Sequence, residues 1–101
     1  MHGTGKFSPQ DLTMHIISKK TLKDFADRHP SAKKAFKIWI DWAANAQWSC
    51  PNDVKADDKS ADVIANGRMI FNVGGNKFRI VCLMGFMAKR MFVRFVGTHA
   101  E

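Results

Sequence analysis

A chain of 101 residues has room for one modest core, and an apolar share of 46% with eight Phe and three Trp excludes a chain too polar to fold. A formal net charge of +7, from 16 Lys and Arg against 9 Asp and Glu, points to a polyanion or an acidic protein as partner, with a generally solvated basic surface as the plain alternative. Cys50 and Cys82 form no CxxC pair and no framework of four or six, which predicts reduced thiols in a cytoplasmic protein, and no apolar run approaches the roughly 20 residues that span a bilayer.

Residues 1–13, MHGTGKFSPQDLT, contain no apolar stretch long enough for a signal peptide. They are expected to be a disordered leader, a tag or a misplaced start, with a single domain over 14–101. From Met14 the predicted order is β, α, α, loop, β, β, β. HIIS, 15–18, is a brief apolar strand. Ser18 is positioned to N-cap a helix over Lys19 to Arg28, with Leu22, Phe25 and Ala26 as its buried stripe, and His29-Pro30 ends it. Ser31 can cap a second helix, in which Ala35, Phe36, Trp39, Ile40, Trp42 and Ala43 recur at spacings of three and four. From Ser49 to Gly67, a stretch rich in Pro, Asp, Asn and Ser predicts a connecting loop with one short turn of helix or strand. Lys55 and Lys59 in that loop are available either to a ligand or to local pairing with Asp53, Asp57 and Asp58.

After Gly67 the pattern changes to period two and the charge becomes almost purely basic. A two-residue turn at Gly74-Gly75 would pair Val73 with Asn76, Asn72 with Lys77, Ile70 with Arg79 and Arg68 with Val81. A second turn at Ala88-Lys89 would set Phe86 against Met91, Leu83 against Arg94, Val81 against Val96 and Arg79 against Thr98. One face then carries Met69, Phe71, Val73, Phe78, Ile80, Cys82, Met84, Met91, Val93 and Phe95, and must lie under the helices. The other carries Arg68, Asn72, Lys77, Arg79, Arg94 and Thr98 among Ile70, Val81, Leu83, Phe92 and Val96. The expectation is an α+β layer: two N-terminal helices packed on one face of a twisted antiparallel sheet, with a basic face left open.

The residue types narrow the chemistry. His2, His15, His29 and His99 are scattered and neither cysteine has a partner at ligand spacing, so no metal site and no cofactor is expected. No GxxxxGK[ST] or GxGxxG is present, and a strand follows Gly74-Gly75, so the glycines turn the chain rather than cradle a phosphate. No serine or cysteine is placed beside a base, and Cys82 points to the apolar side. What remains is phosphate chemistry. Arginine grips a phosphate through two parallel hydrogen bonds and keeps its charge, which suits both backbone binding and stabilisation of extra negative charge in a transition state. Arg79 is central to that face, although a lone strand arginine also serves solubility. His99 follows the last strand in VGTHAE, where Gly97 can release the chain, and an imidazole can pass a proton near neutrality. A near-terminal histidine also commonly stays merely exposed.

MHIISKKTLKDF, the second-helix pattern, IFNVGGNKFRIV and the closing VRFVGTH together resemble the HigB toxin family, small RelE-like ribosome-dependent mRNA endonucleases of bacterial type II toxin-antitoxin modules. The resemblance covers Met14 to Glu101. It implies a RelE-like fold, cleavage of mRNA in the ribosomal A site without metal, and neutralisation by a helix-turn-helix antitoxin of the HigA type. It further implies attack of the ribose 2′-OH on the adjacent phosphate. By position Arg79 matches the sheet arginine at the scissile phosphate, and His99 the C-terminal acid-base residue. Arg68, Lys77 and Arg94 would grip mRNA or ribosomal RNA, with Asn72 beside them and Lys55 a weaker loop candidate. Family members typically continue past THxE into a Tyr-Asp and a short tail, whereas this sequence ends at Glu101 and contains no tyrosine, so the expectation is an endoribonuclease weakened at its C-terminus. Two alternatives stand beside it: a non-catalytic basic RNA- or ribosome-binding module, and a domain whose basic face accepts an acidic protein.

Overall fold

A computed structural model describes residues 12–99. The expectations about a leader over 1–11 and about the chain past His99 lie outside the described residues. The elements run β1 (His15–Ile17), α1 (Lys19–Arg28), α2 (Ala32–Ala44), α3 (Pro51–Asp57), β2 (Asp62–Ile64), β3 (Arg68–Val73), β4 (Phe78–Gly85) and β5 (Arg90–Thr98). The five strands form one sheet in the order β1-β5-β4-β3-β2. The architecture is α+β and consistent with a RelE-like fold.

Both long helices form where their apolar spacing demands. Leu22 and Phe25 of α1, and Ala32, Phe36, Trp39 and Ala43 of α2, are buried, while the lysines between them stay in solvent, and Lys20, Lys23 and Lys37 pair with aspartates four residues on, Lys20 with Asp24 at 2.9 Å. Such exposed pairs stabilise the helix only slightly. Ser18 and Ser31 occupy the N-cap positions, but neither side chain makes a capping hydrogen bond. Ser18 adopts a left-handed backbone at φ 73°, and its carbonyl, not its hydroxyl, receives the Thr21 N–H.

Four expectations about the fold are corrected. The sheet is mixed, because β1 pairs in parallel with β5, His15 opposite Arg90 through Ile17 opposite Phe92. The 49–67 segment is more ordered than a loop. Pro51 sits in the first turn of α3, where its missing N–H costs nothing, and Val54 is fully buried. The indole of Trp48 donates to Asp57 at 2.9 Å, and the Lys89 ammonium reaches the Trp48 carbonyl at 2.7 Å, so this segment is tied to the β4–β5 turn.

The hairpin turns are longer than two residues. Val73 pairs with Phe78, so Gly74 to Lys77 form a four-residue loop with Gly74, Gly75 and Asn76 all at positive φ. Gly85 pairs with Arg90, so Phe86 to Lys89 form the next one. The β3–β4 register therefore differs by two residues from that expected, with Asn72 opposite Arg79 and Arg68 opposite Leu83, and the β4–β5 register by two near its turn and by one beyond Cys82, where Val81 faces Phe95. Because strand side chains alternate with period two, a shift of two leaves every face assignment on β3 and β4 intact, whereas a shift of one would have inverted them.

On β5 the faces do change. Val93 pairs with Cys82 and Phe95 with Val81, which leaves Arg94 as an extra residue in a β-bulge. Beyond the bulge the alternation inverts. Phe95, expected in the core, is 44% exposed beside Val81, while Val96 packs against the core and Thr98 pairs with buried Phe78. Val96 and Thr98 are thus not on the open face as expected.

The core lies between the helices and the face formed by Met69, Phe71, Ile80, Cys82, Met91 and Val93, all buried. Burial pushes the Cys82 thiol up to about 12, so it remains a protonated core filler with no nucleophilic role. The alternation of buried and half-buried positions along β3 and β4 is unbroken, which fixes the opposite face as one open to solvent.

Gly74 does two jobs at the hairpin. Its φ is +68°, and a Cβ there would come within 3.1 Å of the Phe78 ring and 3.2 Å of the Ala35 Cβ, whereas a Cβ on Gly75, at φ +65°, would meet nothing within 4 Å. Gly75→Ala should therefore lose only the backbone cost of a left-handed residue, about 1–2 kcal/mol. Gly74→Ala should lose that and a packing cost besides. Denaturant midpoints of the two variants check this, and equal losses would show that the helix contact at Gly74 is immaterial.

Candidate nucleic-acid interface

Side chains on the open face fall into rows across the sheet, set by the strand pairing; nearest the β4–β5 turn is one of Gly85, Arg90 and His15, and three more follow toward the β3–β4 hairpin. The first, nearest the β3–β4 hairpin, runs Gly97, Arg79, Asn72. The second runs Phe95, Val81, Ile70 and ends at Asp62 on the edge strand. The third runs Phe92, Leu83, Arg68. Successive rows are two residues apart along a strand, about 7 Å.

Arg79 is at the centre of the first row, on a strand flanked on both sides, so its backbone is as fixed as any in the molecule. Its neighbour across the ladder toward β5 is Gly97, which is buried and adds no side chain to that row. Its Nη2 donates to the His99 carbonyl at 3.4 Å, and its Nε is buried without a hydrogen-bond partner among the described residues. Held among the described residues by that one long bond, the half-buried arginine keeps most of its donor fork for something else.

His99 continues the ladder past β5. Its N–H donates to the Lys77 carbonyl at 2.9 Å, which locks the chain just after Thr98 onto the hairpin loop. Counting two residues on from Gly97 places it on the same face as Arg79, and it is exposed. Lys77 is exposed in the same loop. Arg79, His99, Lys77 and Asn72 are thus brought to one end of the open face. The Asn72 amide nitrogen donates to the Ser60 carbonyl at 2.8 Å, which anchors it against the α3–β2 connection.

Arg68 and Arg94 lie elsewhere on the same face. Arg68 is half-buried in the third row, two rows or about 14 Å from Arg79. Arg94, the bulged residue, is exposed and carries its guanidinium over the Phe92 ring at 5.6 Å from the centroid, a cation–π contact. Lys55 is not gathered into either group: its ammonium donates to the Lys59 carbonyl at 3.1 Å and the Ala61 carbonyl at 2.6 Å, closing the turn after α3. The pairing with Asp53, Asp57 or Asp58 that the sequence offered it does not form among the described bonds; those aspartates serve Ser49, Trp48 and Ser60 instead.

Among the described residues, no three His, Cys, Asp or Glu side chains stand together as a metal site, and no helix is long and apolar enough to cross a membrane. Among the described residues the face pairs five cations, Lys77, Arg79, Arg68, Arg94 and, opposite Gly85, Arg90, with one carboxylate, Asp62 at the edge. Phe95 was missed by sequence reasoning. No local signal marks it, because the bulge that turns it outward is a property of the β4–β5 pairing.

Residues 32–101 match the family model of the HigB toxin, described as the RelE-like toxic component of a toxin-antitoxin system. Curated relatives agree in name. The chain is 33% identical over 90 residues to an mRNA interferase toxin HigB of Escherichia coli strain K12, covering 87% of this chain and 86% of the relative. The same identity and coverage hold for an mRNA interferase HigB of Shigella flexneri, and 29% identity over 90 residues for one of Escherichia coli O6:H1. The matched span contains β2 to β5 with Arg79 and His99; the chain belongs to the HigB family of RelE-like toxins of toxin-antitoxin systems.

Proposed function

We propose that this protein is a ribosome-dependent endoribonuclease that cleaves mRNA in the A site, acts in the cytoplasm, and is held inactive by a helix-turn-helix antitoxin of the HigA type. The observation that carries the reading is the convergence of Arg79 and His99 at the hairpin end of an open cationic face, in a chain whose relatives are named mRNA interferases.

The proposed step is transesterification. The 2′-OH of a ribose loses its proton to a base and its oxygen bonds to the adjacent phosphorus, the bond from phosphorus to the 5′-oxygen breaks, and that oxygen takes a proton from an acid. The products are a 2′,3′-cyclic phosphate and a 5′-OH. Arg79 would hold two non-bridging oxygens and meet the extra negative charge that gathers on them in the transition state. His99 would move the proton. Lys77 lies near enough in the hairpin to neutralise a neighbouring phosphate, while Arg68 and Arg94 would hold mRNA or ribosomal RNA further along the face. An arginine supplies charge and an imidazole moves the proton, so the proposed chemistry proceeds without metal. Lys55 keeps a structural part through its two carbonyl partners.

Mapping transcript ends after induction in cells, and on purified ribosomes programmed with a defined mRNA, tests the reading. Cuts should appear within the A-site codon, leave a 5′-OH, and vanish when the nucleotide 5′ to the cut carries a 2′-deoxyribose. Intact transcripts, or binding to ribosomes without scission, would leave only a binding module.

A further inference from the structure

The bulge at Arg94 turns a large aromatic side chain into solvent in the middle of the face that carries the cations. Phe95 is 44% exposed, although on the same nine-residue strand Met91 and Val93, nearer the turn, are buried and Phe92 is half-buried. It does not stand alone. Val81 and Ile70 continue its row across the sheet, half-buried, so the three make an apolar shelf. Cations stand on both sides: Arg79, with Lys77 and His99 beyond it, about 7 Å away in the first row, and Arg68 in the third, with Arg94 stacked on Phe92 next to it. The surface thus alternates charge, ring and charge along the strand direction.

That order matches a single-stranded polynucleotide, in which flat apolar bases alternate with phosphates. It does not match an acidic peptide, whose carboxylates would find the shelf between the cations without use for an aromatic face. An aromatic ring beside arginines is the usual means by which proteins hold an unpaired base, since every base presents a π face and stacking tolerates sequence. Burial energy adds to this: a base that covers the exposed part of the Phe95 ring removes apolar surface from water.

We propose that Phe95, with Val81 beside it, forms a stacking subsite for one unpaired base of the RNA whose phosphate Arg79 holds. This rests on the nuclease reading above and adds to it a residue that sets where the substrate lies. The bulge is what builds the subsite, because it rotates Phe95 onto the face of Arg79 while leaving Val93 in the core.

The test is single-turnover cleavage on programmed ribosomes, with toxin concentration varied so that half-saturation and maximal rate are read separately. Phe95→Ala and Phe95→Leu should each raise the half-saturating concentration roughly tenfold to a hundredfold, whereas Phe95→Trp should stay within a few-fold of the parent. Leucine keeps the bulk and lacks the π face, so its loss separates stacking from simple apolar contact. An mRNA with one abasic nucleotide in the A-site codon supplies the second arm. At one position the parent should lose a similar factor, and Phe95→Ala should lose little more there, since the two changes remove the same contact. Thermal melts of each variant identify any that fails to fold, and the abasic arm on the parent stands whatever they show. If the parent cleaves while the alanine and leucine variants match it, or while tryptophan loses as much as they do, or if no abasic position slows the parent, the subsite is refuted and the nuclease stands. Should the parent itself leave mRNA intact, the nuclease reading falls and takes the subsite with it.

Discussion

Arg79→Ala is expected to slow mRNA cleavage by about 10²–10³-fold with the fold unchanged, the loss typical of removing one fixed donor from a developing oxyanion. The two halves of that expectation come from different observations. The guanidinium makes one bond, 3.4 Å to the His99 carbonyl, and leaves its Nε without a partner among the described residues, so little of the native structure depends on it. Its stability effect should stay within about 1 kcal/mol. Its position depends on β4, held on both sides by β3 and β5, so the charge is presented without any rearrangement. Arg79→Lys should recover only part of the rate, because an ammonium cannot bridge two phosphate oxygens as the planar fork does. Cleavage on programmed ribosomes, with circular dichroism melts of the same samples, decides the matter. An alanine variant that melts like the parent and cuts within about threefold of it would remove Arg79 from the chemistry.

His99→Ala should cost about 10²–10⁴-fold, the range spanned by a positioned general acid or base. The fold should again be indifferent, since the residue is tied down by its backbone, through the N–H to the Lys77 carbonyl at 2.9 Å and the carbonyl to Arg79, and alanine keeps both. Acid and base roles are separable with the substrate. When the 5′-oxygen of the leaving group is replaced by sulfur, the departing thiolate needs no proton. If His99 is the acid, the variant should cut that substrate nearly as fast as the parent does; if it is the base, the deficit should persist. A deficit absent with the ordinary substrate as well would assign proton transfer to another group. Because Arg79 and His99 are in contact, the double variant should lose less than the product of the single losses.

How far the sequence determined this protein differs from strand to strand. The two long helices and the β3 and β4 faces follow from periodicity, because burial of an apolar stripe is a local pattern that any register of even displacement satisfies, whereas Trp48, Val54 and Ala61 join the core outside any such period and Trp42, on the helix stripe, is 37% exposed. Arg79 and Asn72 were legible on the open face for that reason, even though both hairpin turns are four residues long and the pairing across them differs by two from the two-residue geometry. The Gly-Gly pair signals a turn and leaves its length open, since Asn76 also accepts a left-handed backbone. Three features were decided only in three dimensions. The parallel docking of β1 beside β5 joins segments far apart in sequence. The Lys55 ammonium is taken up by carbonyls that converge only when α3 closes its turn. The bulge at Arg94 reverses the faces of Phe95, Val96 and Thr98, because β5 must fit one residue more than β4 offers while Met91 and Val93 at one end and Val96 at the other all reach the core. Period two predicts which side a residue takes as long as the count is unbroken, and only the partner strand decides where it breaks.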